Sequence, residues 1–171
     1  MQLDTSRRRF LRGRRDTTEL RPPWLSSPLS FVDDCTRCGN CTALCPEHII
    51  GAGDGGFPVV DFSLGECTFC GACASQCEAG LFYKSLSEQV PWTYKAMVGK
   101  QCLTEVSVMC RSCEDACEPR AIRFPLVAGA VPKPQVRLDD CTGCGACLQP
   151  CPTNAITIDA AATDTLMRTE I

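Results

Sequence analysis

Cysteine spacing limits what this chain can fold into more than any other feature. Its 171 residues contain sixteen cysteines, and every one falls into one of four quartets. Three quartets share the spacing C-x2-C-x2-C-x3-C: Cys35, Cys38, Cys41 and Cys45; Cys67, Cys70, Cys73 and Cys77; and Cys141, Cys144, Cys147 and Cys151. The remaining quartet, Cys102, Cys110, Cys113 and Cys117, keeps the second half of that spacing and widens its first gap to seven residues. Such a run is the ligand pattern of bacterial [4Fe–4S] sites. Four full ligand sets with no cysteine left over predict four [4Fe–4S] clusters and a chain that handles electrons or iron–sulfur units.

The spacing has a geometric reason. Three thiolates two residues apart can reach three corners of one cubane from a single turn-like loop. A cysteine three positions further on has entered the next turn of chain and points elsewhere, and in two-cluster ferredoxins it ligates the other cluster. Gly39, Gly71 and Gly145 follow the second cysteine of their runs, where a missing Cβ lets the backbone approach a cluster at φ > 0. Pro46 and Pro152 follow the last cysteine of their runs and predict the first turn of a short helix. Glu78 and Glu118 stand in the same place after Cys77 and Cys117, adding negative charge that predicts lower potentials there.

Other cysteine chemistries fit poorly. A zinc ribbon separates two C-x2-C pairs by a longer spacer, whereas each regular run here holds four thiols within eleven residues. A disulfide framework belongs to an oxidising compartment. Only 6% of residues are aromatic, and no apolar run is long enough to cross a membrane. Two half-chains of this size bury little apolar surface, so cluster binding is expected to provide much of the folding free energy. The formal charge is −3, and four clusters at about −2 each would make the loaded protein strongly acidic. Nucleic acid is therefore excluded as an expected partner.

The segments between runs suggest how the clusters pair. Residues 46–66 and 118–140 each read as a helical turn, a strand, a Gly/Pro turn and a second strand. Residues 78–101 show no matching strand pair and read as a connection. The predicted fold class is α+β: two tandem ferredoxin-like dicluster modules of short antiparallel strands and small helices. The expected divisions are a partly disordered basic arm at 1–30, a first module at 31–90, a connector at 91–101, a second module at 102–160 and a tail at 161–171. Cross-ligation within modules would group Cys35, Cys38 and Cys41 with Cys77, and Cys67, Cys70 and Cys73 with Cys45. It would likewise group Cys102, Cys110 and Cys113 with Cys151, and Cys141, Cys144 and Cys147 with Cys117.

The N-terminus carries a second signal. Ser6-Arg7-Arg8-Arg9-Phe10-Leu11 is similar to a twin-arginine export motif, but Arg12-Gly13-Arg14-Arg15-Asp16 follows in place of an apolar stretch. The expected location is the cytoplasm. Residues 1–21 hold seven arginines against three acids. This reads either as a solvated basic tail or as an arm that docks on an acidic partner or, at most peripherally, on an anionic membrane face. Arg7, Arg8, Arg9, Arg12 and the aromatic Trp24 are the candidate docking residues, with Trp24 alternatively a lid on the first module.

The Ser-Arg-Arg opening, Arg21-Pro22-Pro23-Trp24, the three regular runs and the widened run ending Cys110-Arg111-Ser112-Cys113-Glu114-Asp115-Ala116-Cys117-Glu118-Pro119 together resemble the NapF family. That family comprises ferredoxin-type accessory proteins of periplasmic nitrate reductase systems. The resemblance implies a cytoplasmic protein that contacts the precursor of the nitrate reductase catalytic subunit before its export and helps mature it, by cluster delivery or reduction. It implies the sixteen cysteines as cluster ligands and electron donors as further partners. No nucleophile–base pair, phosphate loop or dinucleotide fingerprint is evident, so no enzyme activity is expected. The single histidine, His48, is expected on a solvent-facing helix, and Trp92 and Tyr94 are expected to pack between the modules. The alternatives are a polyferredoxin electron carrier or reductase subunit, and a binding module whose clusters only hold the fold.

Overall fold

A computed structural model describes residues 19–28 and 30–159. Regular structure is short throughout. Four-residue helices run over Phe31–Asp34 (α1), Asn40–Ala43 (α2), Ala72–Ser75 (α3) and Ser112–Asp115 (α4). Strands occupy Ile50–Ala52 (β1), Pro58–Val60 (β2), Lys95–Val98 (β3), Ile122–Arg123 (β4), Gln135–Val136 (β5) and Ile156–Asp159 (β6). They form three antiparallel two-stranded sheets, β1–β2, β4–β5 and β3–β6. An isolated two-stranded sheet is marginal in water, so something else must hold these ribbons in place.

The β1–β2 and β4–β5 hairpins lie in the two segments where the sequence predicts strand pairs. In β1–β2 the turn is a 3-10 helix over Asp54–Gly56, and Ile50 pairs with Val60. In β4–β5, Ile122 pairs with Val136. The segment read as a featureless connection differs from expectation. Residues Lys95–Val98 form β3, which pairs along its length with β6, from Lys95 opposite Asp159 to Val98 opposite Ile156. Ala96 and Ile156 are buried beneath this pair while Met97 is exposed, the alternation of a half-buried ribbon. The first module has a reduced counterpart, a bridge between Leu25 and Phe82. It is reinforced by Ser26 N–H to Leu81 O at 2.9 Å and Tyr83 N–H to Trp24 O at 3.0 Å. Each module is thus an inner hairpin bracketed by pairing between its own first and last segments, a strand pair in the second module and a single bridge in the first. Residues 24–26 and 95–98 pair within the modules, not within the arm and connector where the sequence suggested them.

Three apolar clusters follow from this arrangement. Trp24, Leu25, Phe31 and Phe82 close the first module. Ala96, Ala121, Ile122, Phe124 and Ile156 fill the second. Ile49, Ile50, Val60, Phe62 and Trp92 lie between, with Leu148 and Ile158 of the second module against them. At this seam Trp92 stands edge-on to Phe62 and Phe69, with ring centroids 5.9 and 5.6 Å away. Its Nε1–H donates to Thr142 O at 2.8 Å, Lys95 Nζ donates to Cys141 O at 2.6 Å, and Cys67 N–H donates to Cys144 O at 2.8 Å. The seam therefore ties together the loops of the second and fourth cysteine runs.

Trp24 corrects an expectation. It is not an exposed docking aromatic but is only 5% exposed, its ring meeting Phe69 edge-on at 6.0 Å and its Nε1–H donating to Gln89 O at 3.3 Å. A large amphipathic ring gains more by burying its face and satisfying its N–H than by standing in water. Arg7, Arg8, Arg9 and Arg12, the basic candidates, lie outside the described residues.

Candidate metal centres

The local backbone of each regular run is built to turn thiols inward. Arg37, Phe69 and Gly143, each just before the second cysteine, have φ of 57, 53 and 74°. Gly39, Gly71 and Gly145, just after it, have φ of 81, 75 and 89°. Two left-handed residues flanking one cysteine coil the loop so tightly that its first three thiols face one centre. Three four-residue helices then carry or flank the third cysteine in the first three runs, while the fourth run is completed by turns alone.

After the last cysteine the chain makes the same turn four times. The N–H groups of His48, Gly80, Arg120 and Asn154 donate to the carbonyls of Cys45, Cys77, Cys117 and Cys151 at 3.1, 3.2, 2.9 and 3.2 Å. All four donors have positive φ. Pro46 and Pro152 therefore sit in tight turns and not in the helical turns that the sequence suggested. His48 is an exposed turn residue, also not helical. The reversal matters for the thiols, because it aims the next N–H back at sulfur: Ala121 N–H to Cys117 Sγ and Ala155 N–H to Cys151 Sγ, both at 3.2 Å.

The cysteines line four separate cavities, each taking three thiols from one run and one from its module partner. Cys35, Cys38 and Cys41 face Cys77. Cys67, Cys70 and Cys73 face Cys45. Cys102, Cys110 and Cys113 face Cys151. Cys141, Cys144 and Cys147 face Cys117. The second, third and fourth sites have about 360, 330 and 300 Å³ of space between atoms, part of it open to solvent, a uniformity that suits one repeated guest. The first is wider, about 890 Å³, and Cys38 at its rim is exposed. Apolar side chains complete the walls, among them Ile49 and Val60 at the second site, Phe124 and Ile156 at the third, and Ile122 and Ile158 at the fourth.

The crowding of thiols in these cavities favours a cationic guest. Burial pushes the thiols of Cys73 and Cys147 up to about 12, and neighbouring thiols add to the effect. Burial likewise raises Cys67 and Cys113 to about 11, partly offset by backbone N–H groups. At Cys151 burial also pushes upward, but N–H groups of Ala155, Thr153 and Ile156 with the Thr153 hydroxyl outweigh it and the thiol is lowered. Four crowded sulfurs in an apolar pocket cannot all ionise unless positive charge sits between them. A cationic metal or cluster core held between them would supply that charge. All sixteen cysteines are free of disulfides. Among the described residues no group of three or more His, Cys, Asp or Glu is arranged to hold a single metal ion.

Comparison with known proteins agrees with this geometry. The 4Fe-4S dicluster domain matches twice, at residues 34–81 and 108–155. The Ferredoxin-type protein NapF of Haemophilus influenzae is 45% identical over 165 residues, covering 90% of this chain and 93% of that protein. This chain belongs to the NapF family of ferredoxin-type proteins. The Escherichia coli K12 NapF protein is 41% identical over 161 residues, covering 93% of this chain and 97% of that one. A more distant relative, the methylamine utilization ferredoxin-type protein MauM of Methylorubrum extorquens, is 27% identical over 77% of this chain and 67% of its own length.

Two dicluster domains bind four [4Fe–4S] clusters. Cys102 lies ahead of the second matched segment, so the widened run departs from the general domain pattern. Its extra residues form a 3-10 turn over Leu103–Val106, and Ser107 at φ 61° reverses the chain. Val108 N–H then closes the loop on Leu103 O at 3.0 Å and returns the backbone to Cys110. Sequence reading did not single out Thr104 within this loop. It is the one buried polar residue among those described, at 3% exposure, and a lone threonine in a short insertion gives no periodic signal.

Proposed function

We propose that this chain is a cytoplasmic accessory protein that binds the precursor of a periplasmic nitrate reductase catalytic subunit and delivers or reduces an iron–sulfur cluster there before export. The observation that carries this reading is relatedness to ferredoxin-type NapF proteins over about nine-tenths of the chain. In this reading all sixteen cysteines ligate iron in the three-plus-one groups that line the four cavities, and no catalysis is involved. Arg7, Arg8, Arg9 and Arg12 form the docking arm. Exposed ligands at the first and second sites, Cys38 and Cys70, support a delivery or contact role, because they give an incoming thiol access. Among the described residues no helix is long and apolar enough to cross a membrane.

Anaerobic co-purification with the catalytic-subunit precursor tests the reading, using isotopically labelled iron in the accessory protein. Binding, with labelled iron or electrons passing to the precursor, is the expected result. Reversible reduction of the clusters without binding would replace it with the alternative, a polyferredoxin electron carrier. Deleting residues 2–18, which spares Leu20 and Arg21 where they bond to Val60, Pro58 and Tyr94, is expected to abolish binding while leaving iron content unchanged.

A further inference from the structure

At the third site three of the four thiols meet a hydroxyl, two from the widened third run and one from the turn after Cys151. Thr104 Oγ1 lies 3.2 Å from Cys102 Sγ, Ser112 Oγ lies 3.7 Å from Cys110 Sγ, and Thr153 Oγ1 lies 3.8 Å from Cys151 Sγ. Cys102, Cys110 and Cys151 all line the third cavity. Ala155 N–H adds a fourth donor, to Cys151 at 3.2 Å. Thr104 is the most constrained of the hydroxyl residues. A buried hydroxyl must find a partner, and the thiol of Cys102 is the one hydrogen-bonded to it. Once that sulfur is an iron-bound thiolate it can only accept, so the hydroxyl becomes the donor.

We propose that the insertion within the third run sets the potential of the third cluster. Its buried Thr104 hydroxyl, assisted by Ser112 and Thr153, holds that cluster at a less negative potential than the same site would have without the hydroxyl. A cluster that takes up one electron gains one unit of negative charge, spread partly onto its sulfurs. Hydroxyl dipoles aimed at those sulfurs stabilise the reduced form more than the oxidised form, and the potential rises. The apolar wall of Val98, Leu103, Phe124 and Ile156 leaves these dipoles little screened. In the regular runs a threonine also follows the first cysteine, Thr36, Thr68 and Thr142, but each is exposed, whereas the longer loop buries Thr104.

The test is a dithionite redox titration of the anaerobic, fully loaded protein, followed by low-temperature electron paramagnetic resonance. In Thr104→Val one reduction wave is expected to move to more negative potential while the other three stay, with iron content unchanged. Thr104→Ser, which keeps the hydroxyl, is expected to restore the wild-type wave. Unmoved potentials in Thr104→Val, or an equal shift of all four waves, would overturn the proposal. Should Thr104→Val fail to load its cluster, Ser112→Ala decides: the same single wave moves in the same direction by a smaller amount, and an unmoved wave overturns the proposal.

Discussion

Gly145, in the fourth cysteine run, lies against the ring of Phe62 in the other module, leaving no room for a Cβ between them. Gly39 occupies the corresponding place in the first run, at a similar positive φ, yet no atom lies within 4 Å of where its Cβ would stand. The two glycines therefore separate backbone strain from packing. Gly39→Ala is expected to cost about 1 kcal/mol for the left-handed conformation, with no protein side chain displaced. Gly145→Ala should cost roughly 1–3 kcal/mol more, because the seam must open to admit the methyl group. Thermal unfolding of the loaded variants measures the difference, and equal losses would show that the seam is not packed as described.

Trp24 fills the first module with its ring between Phe69 and the chain around Gln89 and Pro91. Trp24→Ala is expected to destabilise that module by about 3–5 kcal/mol, as for other buried aromatic truncations. Denaturant unfolding should show the loss in the first module ahead of the second. A stability unchanged from wild type would return Trp24 to the surface.

The three-plus-one grouping makes a sharper statement about ligands. Cys45→Ser and Cys67→Ser should remove the same cluster although they belong to different runs, because both line the second cavity. Cys41→Ser should remove another. Mössbauer spectra of the three variants are expected to show one shared loss and one distinct loss. Shared loss between Cys41→Ser and Cys45→Ser would instead mean that each run ligates its own cluster.

Raised thiol pKa values give the empty and loaded proteins opposite responses to pH. In the cluster-free fold Cys73 and Cys147 titrate near 12 and Cys67 and Cys113 near 11, above the ordinary 9.0. For a group raised on folding, the associated stability is present below pH 9 and is lost as pH climbs through 11 to 12. Cluster binding requires the thiolate, so each such cysteine releases a proton and loading strengthens with pH, by about tenfold per unit per protonated thiol. Chelator competition between pH 6.5 and 8.5 should show retention rising with pH. Retention that falls with pH across the lower range would contradict the protonation states assigned to these thiols.

How far these features can be read from sequence depends on whether their cause is local. The cysteine runs, the glycines at positive φ and both inner hairpins are specified by neighbours a few residues apart, and they appear where the spacing places them. The β3–β6 pair is different. Lys95–Val98 has little alternation of its own and becomes a strand because Ile156–Asp159 arrives alongside it about sixty residues later. The turn after each run was equally hidden, because His48, Gly80, Arg120 and Asn154 share a backbone conformation and not a side-chain type. Trp24 read as exposed because Arg21-Pro22-Pro23 before it resembles a surface linker, whereas its burial depends on Phe69 and Gln89 far along the chain. Thr104 acquires significance only when Cys102 lies beside it.

Native mass spectrometry of the anaerobically purified chain tests the central claim most directly. Sixteen thiols in four cavities predict a single dominant species carrying four Fe4S4 units, with zinc absent and no disulfides. A fully folded chain that carries zinc, or that holds fewer than four clusters after reconstitution with excess iron and sulfide, would contradict the account.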